Sequence, residues 1–213
     1  MKLTPSMLRL YAVTDRSWSA DEADFWRRVS EAMEGGAQVV QLREKHLSHE
    51  AMLRAAERFV ALCRSYGAVS IINDDVEAAA ASGADGAHVG QEDLEAGRAR
   101  ALLGPDKLIG VSAHNVEEAL AAQAAGADYL GVGAAFVTDT KSDASPISRE
   151  TIRAITAAVD IPVVAIGGIG PENILELAGC GLDGVAVVSA LFARADTGEA
   201  ARQMRALAEQ IAR

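Results

Sequence analysis

Short apolar runs alternate with amphipathic, alanine-rich segments along most of the chain. Four of the runs contain no charged residue, and they cover Leu10–Val13, Val69–Ile72, Leu108–Val111 and Val163–Ile166. Strands that are apolar on both faces are typical of a parallel sheet that is covered on both sides. We therefore predict four buried strands at these positions.

A repeated junction indicates four more strands. A helix-like segment ends in glycine followed by alanine or leucine, and a short apolar run comes next, at Gly36, Gly83, Gly126 and Gly181. Each glycine stands where a left-handed residue would end a helix. The chain is therefore expected to contain eight strands.

The segments between these strands have apolar residues at helical spacing. They cover Asp21–Glu34, His49–Ser65, Val76–Ser82, Asp93–Leu103, Val116–Ala125, Arg149–Ala158, Pro171–Ala178 and Thr197–Ala212. Eight alternating strands and helices predict an α/β protein with one closed (β/α)8 TIM barrel over residues 1–213. The active site is then expected at the carboxyl ends of the strands.

An open doubly wound sheet is the alternative topology. It requires a glycine-rich turn after the first strand, and the residues there are Val13, Thr14, Asp15 and Arg16. No linker or low-complexity segment divides the chain. The barrel is therefore preferred.

Charge narrows the classes of partner. The formal net charge is −10, which argues against a protein that holds nucleic acid by its phosphates. Charged residues interrupt every apolar stretch, and the first residues do not resemble a signal peptide, so we expect a cytoplasmic protein that does not enter a membrane. Cys63 and Cys180 are read as buried small hydrophobes. The oligomeric state stays open, and a homo-oligomer is one possibility.

Cations follow the second strand. Side chains alternate along a strand, so Gln41, Arg43 and Lys45 share one side, and Leu42 and Glu44 share the other. The amide of Gln41 and the two cations are suited to bind an anion. Alternatively, Arg43 and Lys45 are solvated charges at the end of the strand.

Two carboxylates follow the third and fourth strands. Asp74 and Asp93 stand at neighbouring strand ends, where two carboxylates can share one Mg²⁺ ion. Water and phosphate oxygens then fill the other coordination positions of the metal. The alternatives are a helix N-cap for Asp93 and a turn residue for Asp74.

Further polar groups follow the later strands. Ser112 and His114 come after the fifth strand, and a hydroxyl-rich loop with Lys141 comes after the sixth. His114 suits a general acid or base, but it equally fits a structural role. Gly167 and Gly168 after the seventh strand, with the start of a helix after the eighth, are typical of a phosphate-binding cradle.

These strings, in this order from Tyr11–Arg16 to Val185–Leu191, resemble thiamine-phosphate synthase. The resemblance implies coupling of 4-amino-5-hydroxymethyl-2-methylpyrimidine diphosphate to 4-methyl-5-(2-hydroxyethyl)thiazole phosphate, with release of diphosphate. It implies that Mg²⁺ binds Asp74 and Asp93. The pyrimidine diphosphate would be held by Gln41, Arg43, Lys45, Asn73, Ser112 and Lys141, of which Arg43, Lys45, Lys141 and Ser112 would act in catalysis. The thiazole phosphate would be received by Thr138, Thr140, Gly168, Val188 and Ser189.

The chain departs from the family pattern at three places. The family often has arginine where Asp75 stands, proline where Val137 stands, and a glycine within Pro146-Ile147-Ser148. None of these positions has an assigned chemical role.

Three rival functions remain. A thiazole tautomerase has a similar sequence and uses a histidine at the position of His114, but it usually lacks the Mg²⁺ carboxylates and the equivalent of Lys45. A regulatory protein that binds thiamine precursors without turnover is a second rival. A sugar-phosphate isomerase or aldolase of the same barrel is a third, and it should have a catalytic Lys or Glu inside the barrel, which we do not find.

Overall fold

The eight predicted strands form a closed parallel barrel in the computed structural model, which describes residues 3–90, 96–137 and 146–213. Each strand pairs with the next in chain order, and β8 pairs with β1. The strands are β1 Leu10–Val13, β2 Val39–Leu42, β3 Val69–Asn73, β4 Gly86–Val89, β5 Leu108–Ala113, β6 Tyr129–Gly133, β7 Val163–Ile166 and β8 Gly184–Val187. The predicted (β/α)8 fold is confirmed.

Helices surround the barrel. They are α1 Glu22–Glu34, α2 His49–Tyr66, α3 Val76–Ser82, α4 Ala96–Leu103, α5 Val116–Ala124, α6 Arg149–Ala158, α7 Ser189–Phe192 and α8 Thr197–Ile211. Six of them begin where an Asp, Ser or Asn side chain accepts a backbone N–H of the first turn, at Asp21, Ser48, Asp75, Asn115, Ser148 and Asp196. Within the described ranges, no helix is long and apolar enough to cross a membrane.

The junction glycines adopt the expected conformation. Gly36, Gly83, Gly126 and Gly181 have φ values of 111°, 73°, 93° and 74°. A side chain is disfavoured at such angles, whereas glycine adopts them readily. Each helix can therefore stop abruptly and turn back into the next strand.

One predicted helix is shorter than expected. The prediction covered Pro171–Ala178, but the structure has only a 3-10 helix at Ile174–Leu177. The Asn173 side chain accepts from Gly170 N–H and donates to the carbonyl of Gly168, so it binds the preceding loop. Such local bonds compete with helix formation, and the segment is too short to overcome them.

Two apolar layers divide the side chains of each strand. One layer fills the barrel and consists of Leu8, Tyr11, Val13, Val39, Val69, Ile71, Leu108, Tyr129, Val164 and Ala186. The other lies between the barrel and the helices and includes the alternate residues Leu10, Ala12, Val40 and Leu42. Strand alternation thus decides which residues near a strand end face the interior.

Three aspartates join neighbouring strands at the amino ends of the barrel. Asp85, Asp128 and Asp183 each follow a junction glycine by two residues. Their carboxylates accept the backbone N–H of Ser70 at 2.9 Å, of Ile109 at 2.7 Å and of Val163 at 2.8 Å, respectively. The repeated motif therefore specifies both the turn and a hydrogen bond between neighbouring strands at the amino ends, the base of the barrel.

We expect Asp183→Ala to lower the free energy of unfolding by about 2 kcal/mol, because it leaves the buried N–H of Val163 without its acceptor. It also removes the contacts of 3.0 Å from the Arg213 guanidinium to that carboxylate. Urea denaturation followed by circular dichroism measures the change. Asp106→Ala, at an exposed position, is the control, and equal stability of the two variants would contradict this role.

Candidate active site

A cleft opens at the carboxyl ends of the strands, where the sequence places the site. Among the predicted residues, the cleft is lined by Gln41, Arg43, Asn73, Ser112, Gly168, Val188 and Ser189. The rest of its wall includes Tyr11, His88 and His114 and apolar residues of β7 and β8. Residues from distant parts of the chain therefore meet in one cavity.

Arg43 supplies a partly buried positive charge to this cleft. The Gln41 side chain is 4% exposed inside the barrel, and Arg43 follows on the same side of β2. The Nη2 atom of Arg43 is buried and has no hydrogen-bond partner among the residues that the structure describes. A buried guanidinium nitrogen without an acceptor is unfavourable unless an anion completes its bonding.

The other side of β2 has a different environment. Leu42 packs in the outer layer, and Glu44 accepts from Arg16 Nε at 2.9 Å and Nη2 at 2.7 Å. The predicted division is thus observed for Gln41, Arg43, Leu42 and Glu44, but Lys45 does not follow it. Lys45 is exposed and is not among the residues that line the cleft.

Asp74 lies at the rim, just beyond the end of β3. Its φ of 61° turns the chain sharply, and its N–H donates to the His88 carbonyl at 2.8 Å. The Asn73 amide Nδ2 donates to Asp74 Oδ2 at 2.6 Å. The carboxylate of Asp74 is therefore oriented by its neighbour at an exposed position beside the cleft.

Asp75, one of the departures from the family pattern, begins a helix. Its carboxylate accepts from Ala78 N–H at 2.8 Å, and one oxygen lies 3.6 Å from His49 Nδ1. Its charge is thus used at the start of α3. Ser148 has the same role for α6, which it caps through the N–H of Thr151.

Polar side chains form the floor of the cleft. His88 Nε2 lies 3.1 Å from Ser112 Oγ, and His88 Nδ1 lies 3.2 Å from the Tyr129 hydroxyl. Tyr11 and Tyr129 are buried, and burial raises the pKa of both phenols above its usual value. No sequence motif pointed to Tyr11, His88 or Tyr129, although each stands at an inward-facing position of a strand.

His114 lies in the cleft wall and is half exposed. Its Nδ1 is 2.9 Å from Glu118 Oε2, and its backbone N–H donates to the same oxygen at 2.8 Å. Partial burial would raise the pKa of Glu118, but the side-chain and backbone hydrogen bonds from His114 outweigh it and lower that pKa.

Gly168, Val188 and Ser189 line the cleft at the ends of β7 and β8. Gly168 has a φ of 65°, and a β-carbon there would collide with the carbonyl oxygen of Val137. Val188 and Ser189 follow β8 beside it, and Ser189 begins α7. N–H groups in a first helical turn have no acceptor within the helix, so backbone donors are available on this wall.

Four predicted site residues lie outside the described residues: Asp93, Thr138, Thr140 and Lys141. Over the described ranges, no group of three or more His, Cys, Asp or Glu side chains is arranged to hold a metal ion. The proposed Asp74–Asp93 pair therefore stays a prediction.

The chain is similar in sequence and in fold to proteins of known function. A thiamine-phosphate synthase of Chloroflexus aurantiacus is 51% identical over 201 residues, which cover 93% of this chain and 92% of that protein. One from Moorella thermoacetica is 50% identical over 175 residues, 82% of this chain and 83% of its own. The solved thiamine phosphate pyrophosphorylase of Pyrococcus furiosus superposes with a TM-score of 0.88 at 39% identity, over 97% of this chain and 98% of its own.

The family model described as thiamine monophosphate synthase matches residues 10–191, which run from the first residue of β1 to the helix after β8. The match therefore includes every strand that contributes to the cleft. With relatives this similar over nearly its whole length, the chain belongs to the thiamine monophosphate synthase family.

Proposed function

We propose that this chain is a transferase that couples 4-amino-5-hydroxymethyl-2-methylpyrimidine diphosphate to 4-methyl-5-(2-hydroxyethyl)thiazole phosphate, giving thiamine phosphate and diphosphate. The observation that carries the proposal beyond family membership is the buried Nη2 of Arg43, which lacks a partner in the described part of the chain and belongs to a side chain of the cleft wall. Diphosphate is an anion of the kind that such a guanidinium binds.

The two sides of the cleft suit the two substrates. Gln41, Arg43, Asn73 and Ser112 offer amide, guanidinium and hydroxyl groups for the pyrimidine diphosphate, together with the predicted Lys45 and Lys141. Gly168, Val188 and Ser189 offer backbone N–H groups for the thiazole phosphate, together with the predicted Thr138 and Thr140. Binding of both substrates in this one cleft would bring the reacting atoms together.

The proposed reaction is a dissociative substitution. The bond between the pyrimidine methylene carbon and the diphosphate oxygen breaks, and its electron pair leaves with diphosphate. The aminopyrimidine ring stabilises the resulting carbocation, and the thiazole nitrogen then donates its lone pair to form the new carbon–nitrogen bond. The protein's contribution is to hold the thiazole about 3–3.5 Å away and to stabilise the growing negative charge of the leaving group.

Mg²⁺ is the proposed cofactor, held by Asp74 and Asp93. Asp74 fits this role because its exposed carboxylate lies at the rim, next to the diphosphate side of the cleft, and carboxylate oxygens are the ligands that Mg²⁺ prefers. When bound, Mg²⁺ neutralises phosphate oxygens and the charge of the departing diphosphate. Asn73 would orient Asp74 through its bond to Oδ2.

The tautomerase alternative is not favoured by the relatives, which are named as thiamine-phosphate synthases. One observation still supports the tautomerase: His114 lies in the cleft wall and is hydrogen-bonded to Glu118.

Arg43→Met should lower kcat/KM for the pyrimidine diphosphate by about 10²-fold, because it removes a partly buried charge of the cleft wall that would stabilise the leaving group. Steady-state formation of thiamine phosphate measures this change. Arg54→Met, at an exposed position on α2, is the matched control. An Arg43→Met enzyme as active as Arg54→Met would remove the central support for the proposal.

Asp74→Ala and Asp93→Ala should each lower turnover by ~10² or more while folding is little changed. The assay titrates Mg²⁺ at saturating substrates. Asp75→Asn is the control, because it removes a neighbouring charge and keeps a residue that caps helices equally well. Normal turnover of Asp93→Ala at limiting Mg²⁺ would leave Asp93 as a helix cap.

His114→Gln should retain coupling activity within about tenfold, because charge stabilisation of the leaving diphosphate needs no proton shuttle. A tautomerase that loses its proton shuttle should lose ~10²–10⁴ in rate. Wild type and variant are assayed in parallel for thiamine phosphate formation and for isomerisation of the thiazole carboxylate phosphate. Isomerisation that depends on His114, without coupling in the wild type, would replace the proposal by the tautomerase.

A further inference from the structure

A continuous chain of hydrogen bonds crosses the floor of the cleft. Gln41 Nε2 donates to the Tyr11 hydroxyl at 2.8 Å, and the Tyr11 hydroxyl lies 2.8 Å from that of Tyr129. The Tyr129 hydroxyl lies 3.2 Å from His88 Nδ1, and His88 Nε2 lies 3.1 Å from Ser112 Oγ. The chain joins β2, β1, β6, β4 and β5, so it spans the inside of the barrel from one wall to the other.

Two glycines leave space inside the barrel for this chain of hydrogen bonds. A β-carbon at Gly110 would collide with the Tyr129 ring and with His88 Nδ1. A β-carbon at Gly131 would come within 3.1 Å of His88 Cε1. The inward-facing positions beside the histidine are therefore occupied by the one residue that leaves space for the ring and the phenol.

The Gln41 end determines the direction of the hydrogens. The Tyr11 oxygen accepts from Gln41, so its own hydrogen is available to Tyr129. Tyr129 then donates to His88 Nδ1, which must be the unprotonated ring nitrogen. Nε2 holds the ring hydrogen and donates it to Ser112 Oγ.

The opposite direction leaves one hydrogen without an acceptor. If His88 Nδ1 donated to Tyr129, and Tyr129 to Tyr11, the Tyr11 oxygen would accept twice. Within the described ranges, its own hydrogen would then point at no acceptor inside a buried site. Burial raises the pKa of both phenols, so each keeps its hydrogen at neutral pH and must place it.

We propose that Tyr11 and Tyr129 are positioning residues that hold His88 as the neutral Nε2–H tautomer, so that Ser112 accepts from His88 and donates its own hydrogen to the substrate. The substrate part of this proposal rests on the proposed function, in which Ser112 contacts the pyrimidine diphosphate. A hydroxyl that accepts one hydrogen bond becomes a stronger donor in the next. The tyrosines thereby act on a substrate contact through two intervening residues.

The first test uses the free wild-type protein and needs no substrate. Two-bond ¹H–¹⁵N correlation spectra at about pH 8, where histidine is ordinarily neutral, distinguish the two tautomers. His88→Gln identifies the signal of His88 among the four histidines. The Nε2–H pattern is expected, and an Nδ1–H pattern in the wild type would overturn the proposal without any variant having to fold.

Tyr129→Phe tests whether the phenol sets the tautomer. It removes the hydroxyl that donates to His88 Nδ1, so the Nδ1–H form should become populated. Tyr11→Phe leaves Nδ1 as the acceptor for the Tyr129 hydrogen and should keep the Nε2–H form. Tyr66→Phe removes the hydroxyl of an exposed tyrosine that donates to Glu34, and it is the matched control. A His88 spectrum that stays purely Nε2–H in Tyr129→Phe would show that the phenol does not set the tautomer.

Tyr129→Phe tests the consequence for turnover. We expect kcat to fall by about tenfold, while KM for the thiazole phosphate and the activity of Tyr66→Phe stay within about twofold of wild type. Unchanged kcat in a folded Tyr129→Phe protein would overturn the link to Ser112. If the wild type formed no thiamine phosphate at all, the proposed function would fail, and the tautomer measured in the free protein would still stand or fall independently.

Discussion

Closure of the barrel leaves each side chain of a strand two destinations, the interior or the layer beneath the helices. Both edges of every strand are hydrogen-bonded to a neighbour, so no strand can shift by one residue without disturbing two pairings. The alternation that sends Val39 and Gln41 inward and Leu42 outward continues beyond β2. It therefore delivers Arg43 to the cleft and Glu44 to the bond with Arg16.

Space inside the barrel is the second constraint, because eight strands enclose just enough room for their own side chains. Tyr11 and Tyr129 meet edge to face inside the barrel, with ring centroids 5.8 Å apart. Gly110 and Gly131 leave the remaining room for His88. The floor of the cleft is thus a packed polar layer, and substrates would lie above it.

Much of this structure could be predicted from local sequence. Strand positions followed from short apolar runs, and the helix ends followed from glycines that proved to have positive φ. Gln41 and Arg43 were placed in the cleft by alternation alone. Each of these features depends on residues that are close in sequence, where backbone preference and burial act together.

Other features depend on contacts between distant residues. The hydrogen-bond network from Gln41 to Ser112 joins five strands. The spacing of residues in the sequence does not predict which inward-facing side chains meet across a barrel. The helix predicted over Pro171–Ala178 was wrong because the Asn173 side chain binds the backbone of the preceding loop. The exposure of Lys45 likewise depends on how the chain leaves β2, which alternation does not determine.

The aspartates at the base of the barrel give the molecule a division of labour. Asp85, Asp128 and Asp183 connect neighbouring strands at the end of the barrel away from the cleft, and none of them lines it. Loops at the catalytic end can therefore change length or composition without weakening these bonds. Related barrels can therefore evolve new chemistry without losing their fold, because the residues that stabilise the barrel are not those that form the active site.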